Sequence, residues 1–239
     1  MRQPVPMIHR PHFLKKTTTS LQLLAYIFFS LILSIDAFAD KKTSLTRYEA
    51  LSGEKVSDSK TEWDQKFLSK RYIFGKKPAK FLSDNAHLIP PRSRVLDMGM
   101  GEGRNAVFLA TKGHQVIGID ISSVAVEKAN ALAQEHSTEI KGVVASLDDY
   151  QIKNESFDVI LSFYYVDRSL IKKMKKWLRP GGLIFYEAHT VQKLKEGKLL
   201  NKNYLVENKE VKEFFKNMRV LKFEEPKDGS YRSSIIVRK

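Results

Sequence analysis

One short stretch limits the fold of this chain more than any other: residues 95–105 read VLDMGMGEGRN. An apolar run ends in Asp97, three glycines follow at every second position, and a helical pattern begins near Ala106. This order predicts a strand, a tight turn and a helix, because glycine adopts positive φ and lets a ligand approach the backbone closely. The N-terminus of the helix beyond the turn offers free N–H groups to that ligand.

A second acid lies where the sugar of such a ligand is expected. Asp120 ends the next apolar run, residues 115–119. An acid at the tip of the second strand of this kind of unit is placed to accept hydrogen bonds from ribose hydroxyls. The glycine turn and Asp120 together predict a nucleoside-cofactor site.

The glycine spacing distinguishes between classes of nucleotide site. A dinucleotide fingerprint needs a third glycine at position 104, which is occupied by Arg104. A phosphate-binding P-loop is excluded, because no Gly-Lys-Ser/Thr closes the turn. The negative charge of Asp97 is also unfavourable next to a pyrophosphate, so the pattern does not favour a dinucleotide.

The D-x-G-x-G-x-G pattern, with Asp120 and Pro180-Gly181-Gly182, resembles the first motif and later landmarks of class I S-adenosylmethionine-dependent methyltransferases. From about Trp63 to Lys239 the chain is similar to small methyltransferases of the tellurite-resistance and thiopurine type. The resemblance is carried by residues 101–110, 113–122, Tyr72 to Gly75 with Pro78, 157–160, 178–182 and 203–205. It implies an α/β fold, a doubly wound, mostly parallel seven-stranded Rossmann-like sheet with an N-terminal helical cover.

The alternation of apolar segments after Pro91 independently predicts a parallel sheet covered on both faces. The last two strands read as a hairpin around residues 226–230. The predicted strands are 93–98, 114–120, 140–145, 157–163, 183–189, 219–225 and 231–238. The predicted helices are 103–112, 122–136, 167–178 and 207–217, with helical cover over 61–90.

The resemblance implies a set of cofactor-binding residues. Three glycines would cradle the methionine part, Asp97 would hold its ammonium group, and Asp120 would bind the ribose. Ser146 stands where many family members carry an acid facing the adenine amino group, so backbone groups near it are expected to serve instead. The full set is Asp97, Gly99, Gly101, Gly103, Asp120, Ile121 (packing on adenine), Ser146, Leu147 and Phe163.

The acceptor side is expected at the end of the fourth strand, because ligands bind at the carboxyl edge of open parallel sheets. Tyr164 and Tyr165 lie there, and His189 near the same edge has a pKa suited to a general base. These three are the candidate catalytic residues. Tyr72 and Phe74 are candidates for a lid over the cofactor.

The acceptor itself is predicted to be small. The Asn/Asp-Pro-Pro-Tyr motif of base and glutamine N-methylation is absent, and the segment between the strand at 183–189 and the helix at 207 has no room for a substrate domain. A thiol, a chalcogen compound or another soft nucleophile needs alignment more than a base. Two alternatives stay open: an RNA methyltransferase that uses the basic charge, and a non-enzymatic S-adenosylmethionine-binding protein.

The amino-acid composition limits which metals and macromolecules the protein is expected to bind. The chain has 41 Lys and Arg against 27 Asp and Glu, a formal charge of +14, and no cysteine. Disulfides, thiolate metal sites and a cysteine nucleophile are therefore excluded, and no metal is expected. The basic residues are scattered and not interleaved with aromatics, which makes a nucleic-acid partner the less favoured reading. Nothing in the pattern indicates an oligomeric state.

The first 39 residues differ from the rest. A basic leader precedes the apolar run 21–35, and Ala37-Phe38-Ala39 follows. This pattern predicts a secretory signal cleaved before Asp40, and hence an exported, periplasmic protein. A membrane anchor, or a cytoplasmic protein with a mis-assigned start, stays open, and membrane contact is expected only through this segment. Residues 40–60 are predicted as a linker and 61–239 as the methyltransferase domain.

Overall fold

A single seven-stranded sheet organises the fold, with the strand order β3-β2-β1-β4-β5-β7-β6. Strands β1 to β5 pair in parallel, whereas β7 is antiparallel to both β5 and β6. The predicted fold class is confirmed. The strands are β1 (Arg94–Met98), β2 (Gln115–Asp120), β3 (Lys141–Val144), β4 (Phe157–Phe163), β5 (Leu178–His189), β6 (Arg219–Glu224) and β7 (Arg232–Arg238).

The computed structural model describes residues 56–196, 201–207, 209–225 and 231–239. The predicted signal or anchor over 1–39 and the linker up to residue 55 lie outside the described residues. Within the described ranges no helix has the length and apolar character needed to cross a membrane. The helices are α1 (Val56–Phe67), α2 (Lys80–Asn85), α3 (Arg104–Ala110), α4 (Ser123–Glu135), α5 (Leu170–Trp177) and α6 (Glu210–Phe214), with 3-10 turns at Ala86–Leu88, Val191–Glu196 and Lys202–Tyr204.

Core packing follows the two-residue period of the central strands. In β1, Val95 packs into the apolar cluster on one face and Leu96 into the cluster on the other; in β4, Val159 and Ile160 divide in the same way. Both faces of these strands are therefore buried, which is why consecutive residues at their centres are apolar rather than alternating with polar ones. Burial on both sides fixes the register and leaves the strand ends free to build a site.

The N-terminal cover differs from the continuous helical segment predicted over 61–90. Helix α1 ends at Phe67 and α2 begins at Lys80, with a non-helical loop between them. The loop contains Gly75 with φ +70 and then Pro78, and a residue preceding proline avoids the helical region. Helix formation is therefore interrupted in the loop that contains Gly75 and Pro78.

The C-terminal half keeps the predicted antiparallel pairing of the last two strands and differs from the prediction in two ways, the start of β5 and the length of two helices. The antiparallel strand β7 is inserted between β5 and β6, so the edge strand is β6. Strand β5 begins at Leu178, earlier than the predicted 183, and its register against β4 shifts between Phe157 and Val159. The helices predicted at 167–178 and 207–217 are shorter in the structure. Before α5, the Asp167 carboxylate accepts hydrogen bonds from the N–H and the hydroxyl of Ser169, and these bonds hold a turn in place of the first helical turn.

Candidate active site

A cavity of about 300 Å³ opens at the carboxyl ends of β1, β2 and β4. This is the edge at which open parallel sheets bind ligands. Most of the predicted site residues line it together; Gly103 and His189 do not. The predicted residues on its wall are Asp97, Gly99, Gly101, Asp120, Ile121, Ser146, Leu147, Phe163, Tyr164 and Tyr165.

The glycine turn lets an aromatic ring approach its backbone. Gly99 has φ +61, and a Cβ built there would lie 2.7 Å from Cδ2 of Tyr165. Gly103 has φ +83 as the N-cap residue of α3, and a Cβ on it would lie 2.6 Å from Cβ of Ala129 in α4. Gly99 therefore shapes the cavity wall, whereas Gly103 serves helix packing behind it.

Each carboxylate oxygen of Asp120 accepts a hydrogen bond from a backbone N–H. Its Oδ2 accepts a 2.8 Å hydrogen bond from the N–H of Gly101, and its Oδ1 accepts one of 2.9 Å from Ser122. Burial raises its pKa above the ordinary value. The carboxylate thus joins the glycine turn to the end of β2, and its remaining lone pairs face the cavity edge where ribose hydroxyls are expected.

Asp97 has an unpaired oxygen. The residue is 2% exposed, and its Oδ2 has no hydrogen-bond partner among the described residues. Burial raises its pKa to about 7; Arg104 opposes this rise and Asp120 adds to it. A buried acceptor without a donor is costly, and a cationic group in the cavity would satisfy it. The residue fits the role of holding an ammonium group.

Tyr164 is fixed from behind the cavity. Its hydroxyl donates a 2.5 Å hydrogen bond to Oε1 of Glu187, whose Oε2 accepts from Ser234. Burial and the negative charge of Glu187 raise the pKa of Tyr164 to about 12, and burial also raises the pKa of Tyr165. Both hydroxyls are therefore protonated at neutral pH.

His189 lies behind Tyr164 and not on the cavity wall. The two ring centroids are 4.7 Å apart, and Nε2 of His189 is 2.8 Å from the ammonium of Lys193. Burial and Lys193 lower the pKa of His189 to about 4. The neutral ring supports Tyr164, and its placement does not match the predicted role of a general base in contact with the acceptor.

An aromatic cover encloses the cavity. Trp63 stacks on Phe67 at 5.7 Å between ring centroids and meets Tyr204 edge-on at 6.4 Å, while Phe67 meets Phe74 at 6.2 Å. The four-residue spacing of Trp63 and Phe67 places them on one face of α1. Tyr204 is separated from them by more than a hundred residues, so sequence reasoning did not assign it to the site.

Of the two lid candidates, Phe74 lines the cavity, but Tyr72 does not. The Tyr72 hydroxyl donates to the backbone carbonyl of Lys128. The Arg104 guanidinium donates to the carbonyl of Phe74 and lies 5.5 Å over the Tyr164 ring. It lines the cavity and links the cover to the sheet.

A buried ion pair that sequence reasoning missed holds the cover in place. Glu102 is 3% exposed and pairs with Lys128 of α4. The same ammonium lies 2.8 Å from the carbonyl of Ser69, 3.0 Å from that of Arg71 and 3.2 Å from that of Phe67. A lysine in the middle of an ordinary amphipathic helix gives no sign of this role in the sequence.

In the described part of the chain no cluster of His, Asp and Glu side chains suits a metal ion. Whether the site fits the cofactor predicted from the sequence depends on Asp97, Asp120 and the glycine turn. An unpaired buried acceptor, an acid at the end of β2 and a turn with glycine at every second position together suit a cationic nucleoside ligand.

Comparisons with known proteins bear on the fold and on the class of protein. The seven-stranded sheet, the glycine turn and the acid at the end of β2 are similar to those of class I S-adenosylmethionine-dependent methyltransferases. More particularly, residues 95–182 match the family model described as a methyltransferase domain.

Two curated relatives share the central part of the chain. The tRNA 5-carboxymethoxyuridine methyltransferase of Escherichia coli K12 is 35% identical over 120 residues, 44% of either chain. The ubiquinone biosynthesis O-methyltransferase of Mesorhizobium japonicum is 31% identical over 97 residues, 38% of this chain and 39% of the relative. The chain thus spans less than half the length of these relatives in either alignment.

Among solved structures, TehB from Haemophilus influenzae is similar with a TM-score of 0.56 and 22% identity, covering 67% of this chain and 62% of TehB. A structure described as "Conversion of a Disulfide Bond into a Thioacetal Group during Echinomycin Biosynthesis" has a TM-score of 0.62 and 16% identity, covering 76% and 92%. These likenesses concern the fold.

Proposed function

We propose that this protein transfers the methyl group of S-adenosylmethionine to a small soft nucleophile, a thiol, a chalcogen compound or a similar acceptor. The observation that carries the proposal is the chemistry of the cavity wall. Neither histidine nor lysine is among its described residues, and the two tyrosines at the end of β4 have raised pKa values. Asp97, whose pKa is about 7, and Asp120 are assigned to the cofactor, so the rest of the wall suits an acceptor that reacts through a lone pair or as an anion already deprotonated in solution.

The residues on the wall have separate tasks. Asp97 holds the ammonium group of the cofactor, Asp120 accepts from its ribose, and Gly99 lets Tyr165 pack close to the turn. S-adenosylmethionine supplies a methyl group already activated by a sulfonium, so catalysis depends mainly on alignment, worth up to about 7–11 kcal/mol. Tyr164 and Tyr165 shape the acceptor end and exclude water from it.

The resemblance to the tellurite-resistance and thiopurine type supports a small acceptor, as does the aromatic cover over the cavity. A relative named for ubiquinone biosynthesis also favours an acceptor other than nucleic acid. The second candidate is RNA, favoured by the relative named a tRNA methyltransferase and by the charge of +14. That candidate requires RNA binding that weakens steeply with salt.

A labelling experiment tests the ranking. The full chain is incubated with methyl-labelled S-adenosylmethionine and, separately, with a simple thiol, selenite, tellurite and bulk tRNA. We expect labelled small products and little labelled RNA, with labelling lost in Asp120→Ala. Robust labelling of RNA with no small product would reverse the ranking. Cofactor binding without transfer to any acceptor would favour a non-enzymatic binding protein.

We further propose that residues 1–39 direct export and are removed before Asp40. The support is the basic leader, the apolar run and the Ala-x-Ala that follows it. Intact-mass analysis of the protein from its native host tests this. An N-terminus at Asp40 is the expected result. A full-length protein in the membrane fraction would favour an anchor, and one in the cytosol would refute export.

A further inference from the structure

The segment that borders the cavity, residues 66–77, has an unusual outer surface; we call it the mouth segment. It runs from the last turn of α1 into the loop before α2, and Phe67, Phe74 and Gly75 in it line the cavity. Phe74 is both on the cavity wall and 53% exposed, so a partner that contacts its outer face also contacts the edge of the cavity.

Three large apolar side chains of the mouth segment face solvent. Leu68 is 59% exposed, Ile73 40% and Phe74 53%. They are half of the six large hydrophobic residues that are exposed in the described part of the chain. Single exposed apolar residues are ordinary, but three large ones within seven residues of sequence favour an interaction surface.

The same segment is strongly basic. It contains Lys66, Lys70, Arg71, Lys76 and Lys77 and no acid. Lys66 and Lys76 pair with Glu62 and Glu135 of the neighbouring helices. The other three side chains form no ion pair with any residue that the structure describes, so the surface around the apolar group is positive.

This exposure does not come from a loose backbone. Three carbonyls of the mouth segment accept hydrogen bonds from the ammonium of Lys128, and the Tyr72 hydroxyl donates back to that residue. The N–H and the carbonyl of Phe74 bond to Glu102 and Arg104. The backbone is held at these points, yet the side chains of Leu68 and Ile73 are exposed to solvent. Exposure of apolar surface to water is unfavourable, so a partner that covers these side chains would gain free energy.

We propose that the mouth segment docks on an anionic lipid bilayer. The apolar side chains enter the boundary between headgroups and acyl chains, and the basic residues contact lipid phosphates. Stable interfacial binding generally needs these two contributions together, and both occur within the same twelve residues. Docking would turn Phe74 and the cavity edge that it lines towards the membrane.

The side chains favour lipid over RNA. Single-stranded nucleic acid binds on surfaces where aromatic rings stack with bases between positive charges. Leu68 and Ile73 are aliphatic and offer no stacking face, and Tyr72 is turned inward to Lys128. Phe74 is the one exposed aromatic side chain of the segment, and its ring packs edge-on against Phe67. Branched aliphatic chains surrounded by lysines match a headgroup layer instead.

A local fluorescent reporter tests the docking without interference from the apolar run at 21–35. The chain has no cysteine, so one cysteine can be introduced and labelled with a polarity-sensitive dye in the full-length protein. The test variant is Ile73→Cys; the control is Val220→Cys, an equally exposed apolar position (46%) on β6. Vesicles are phosphatidylcholine alone or an equimolar mixture with phosphatidylglycerol.

We expect a blue shift at position 73 with the anionic vesicles, a weaker one with the neutral vesicles, and none at position 220. The shift should decrease with salt, because screening weakens the contact between lysines and phosphates. No shift at position 73, or equal shifts at both positions, would overturn the proposal. A response to RNA but not to vesicles would overturn it as well, in favour of a nucleic-acid surface.

Charge reversal supplies an independent test. The double variant Lys70→Glu with Arg71→Glu should weaken the anionic response about tenfold or more. The matched control is Lys172→Glu with Lys176→Glu, which makes the same charge change on α5, outside the cavity wall. An equal loss in both variants would show that net charge alone drives binding and would refute docking by the mouth segment.

Discussion

The backbone N–H of Gly101 donates a 2.8 Å hydrogen bond to Oδ2 of Asp120, so the turn after β1 is tied to the end of β2. The acid expected to bind the ribose therefore also fixes the shape of the turn expected to hold the methionine part. The two halves of the cofactor site are coupled, and a change in one is expected to disturb the other.

Asp120→Ala should reduce affinity for S-adenosylmethionine by about 1.5–3 kcal/mol, as expected for hydrogen bonds to a charged group. It should also lower the free energy of unfolding, since the N–H groups of Gly101 and Ser122 lose their acceptor. Titration calorimetry and denaturant unfolding measure the two effects. Asp149→Ala, an exposed acid outside the cavity wall, is the control; undiminished binding by Asp120→Ala would contradict the assignment.

Gly99→Ala and Gly113→Ala separate backbone strain from crowding. Both glycines have positive φ, +61 and +83, but only at Gly99 does a new Cβ meet an atom, Cδ2 of Tyr165 at 2.7 Å. Gly113→Ala should cost about 1–2 kcal/mol of stability from strain alone. Gly99→Ala should cost a further 1–3 kcal/mol, approximately that of overpacking, and weaken cofactor binding. Equal losses in thermal unfolding would show that Tyr165 does not pack there.

Cofactor affinity should depend on pH through Asp97. Its pKa of about 7 means that half of the sites are protonated near neutrality, and the protonated carboxyl cannot hold an ammonium group. Affinity should therefore rise as pH increases through about 7, with proton release on binding below that value. Calorimetry in buffers of different ionisation enthalpy measures the release.

The variant Asp97→Asn serves as the control for that titration, because it should bind weakly without the Asp97-linked proton release. The effect on folding has the opposite sign. The folded-state pKa lies above the ordinary value of 3.8, so the folded protein holds more protons and loses stability as pH rises from about 4 to about 7. Asp97→Asn should remove this loss; an unchanged pH profile would show that another group titrates.

Lys128→Met should destabilise the protein by about 3–5 kcal/mol, because it leaves the buried charge of Glu102 without its partner. It should also free the carbonyls of the mouth segment and weaken cofactor binding. Lys216→Met, which breaks an exposed pair with Glu213, should change stability by less than about 1 kcal/mol. If adding Glu102→Gln to Lys128→Met recovers no stability, the ion pair is not the cause.

The sheet was predictable because its signals are local. Val95-Leu96 and Val159-Ile160-Leu161 are consecutive apolar residues, and strands buried on both faces contain such runs. The glycine turn with Asp120 was recognisable for a similar reason, since the chemistry of a nucleoside site needs few residue types at fixed spacing. Cofactor residues at strand ends are therefore visible in one sequence.

Other parts of the site depend on contacts between distant residues. Lys128 acts through the carbonyls of residues 67–71, and backbone acceptors leave no trace in side-chain patterns. Tyr204 meets Trp63 only because Arg168 holds its segment through the carbonyls of Asn203 and Leu205. His189 was expected at the sheet edge, and its place behind Tyr164 depends on how far β5 extends, which periodicity does not define.

The position of β7 determines when this domain can finish folding. The strand is the last of the seven along the chain, but it lies inside the sheet, hydrogen-bonded to β5 on one side and β6 on the other. Until residues 232–238 have left the ribosome, β6 has no neighbour and one edge of β5 is unpaired. Synthesis of the described strands up to β7 therefore precedes closure of the sheet.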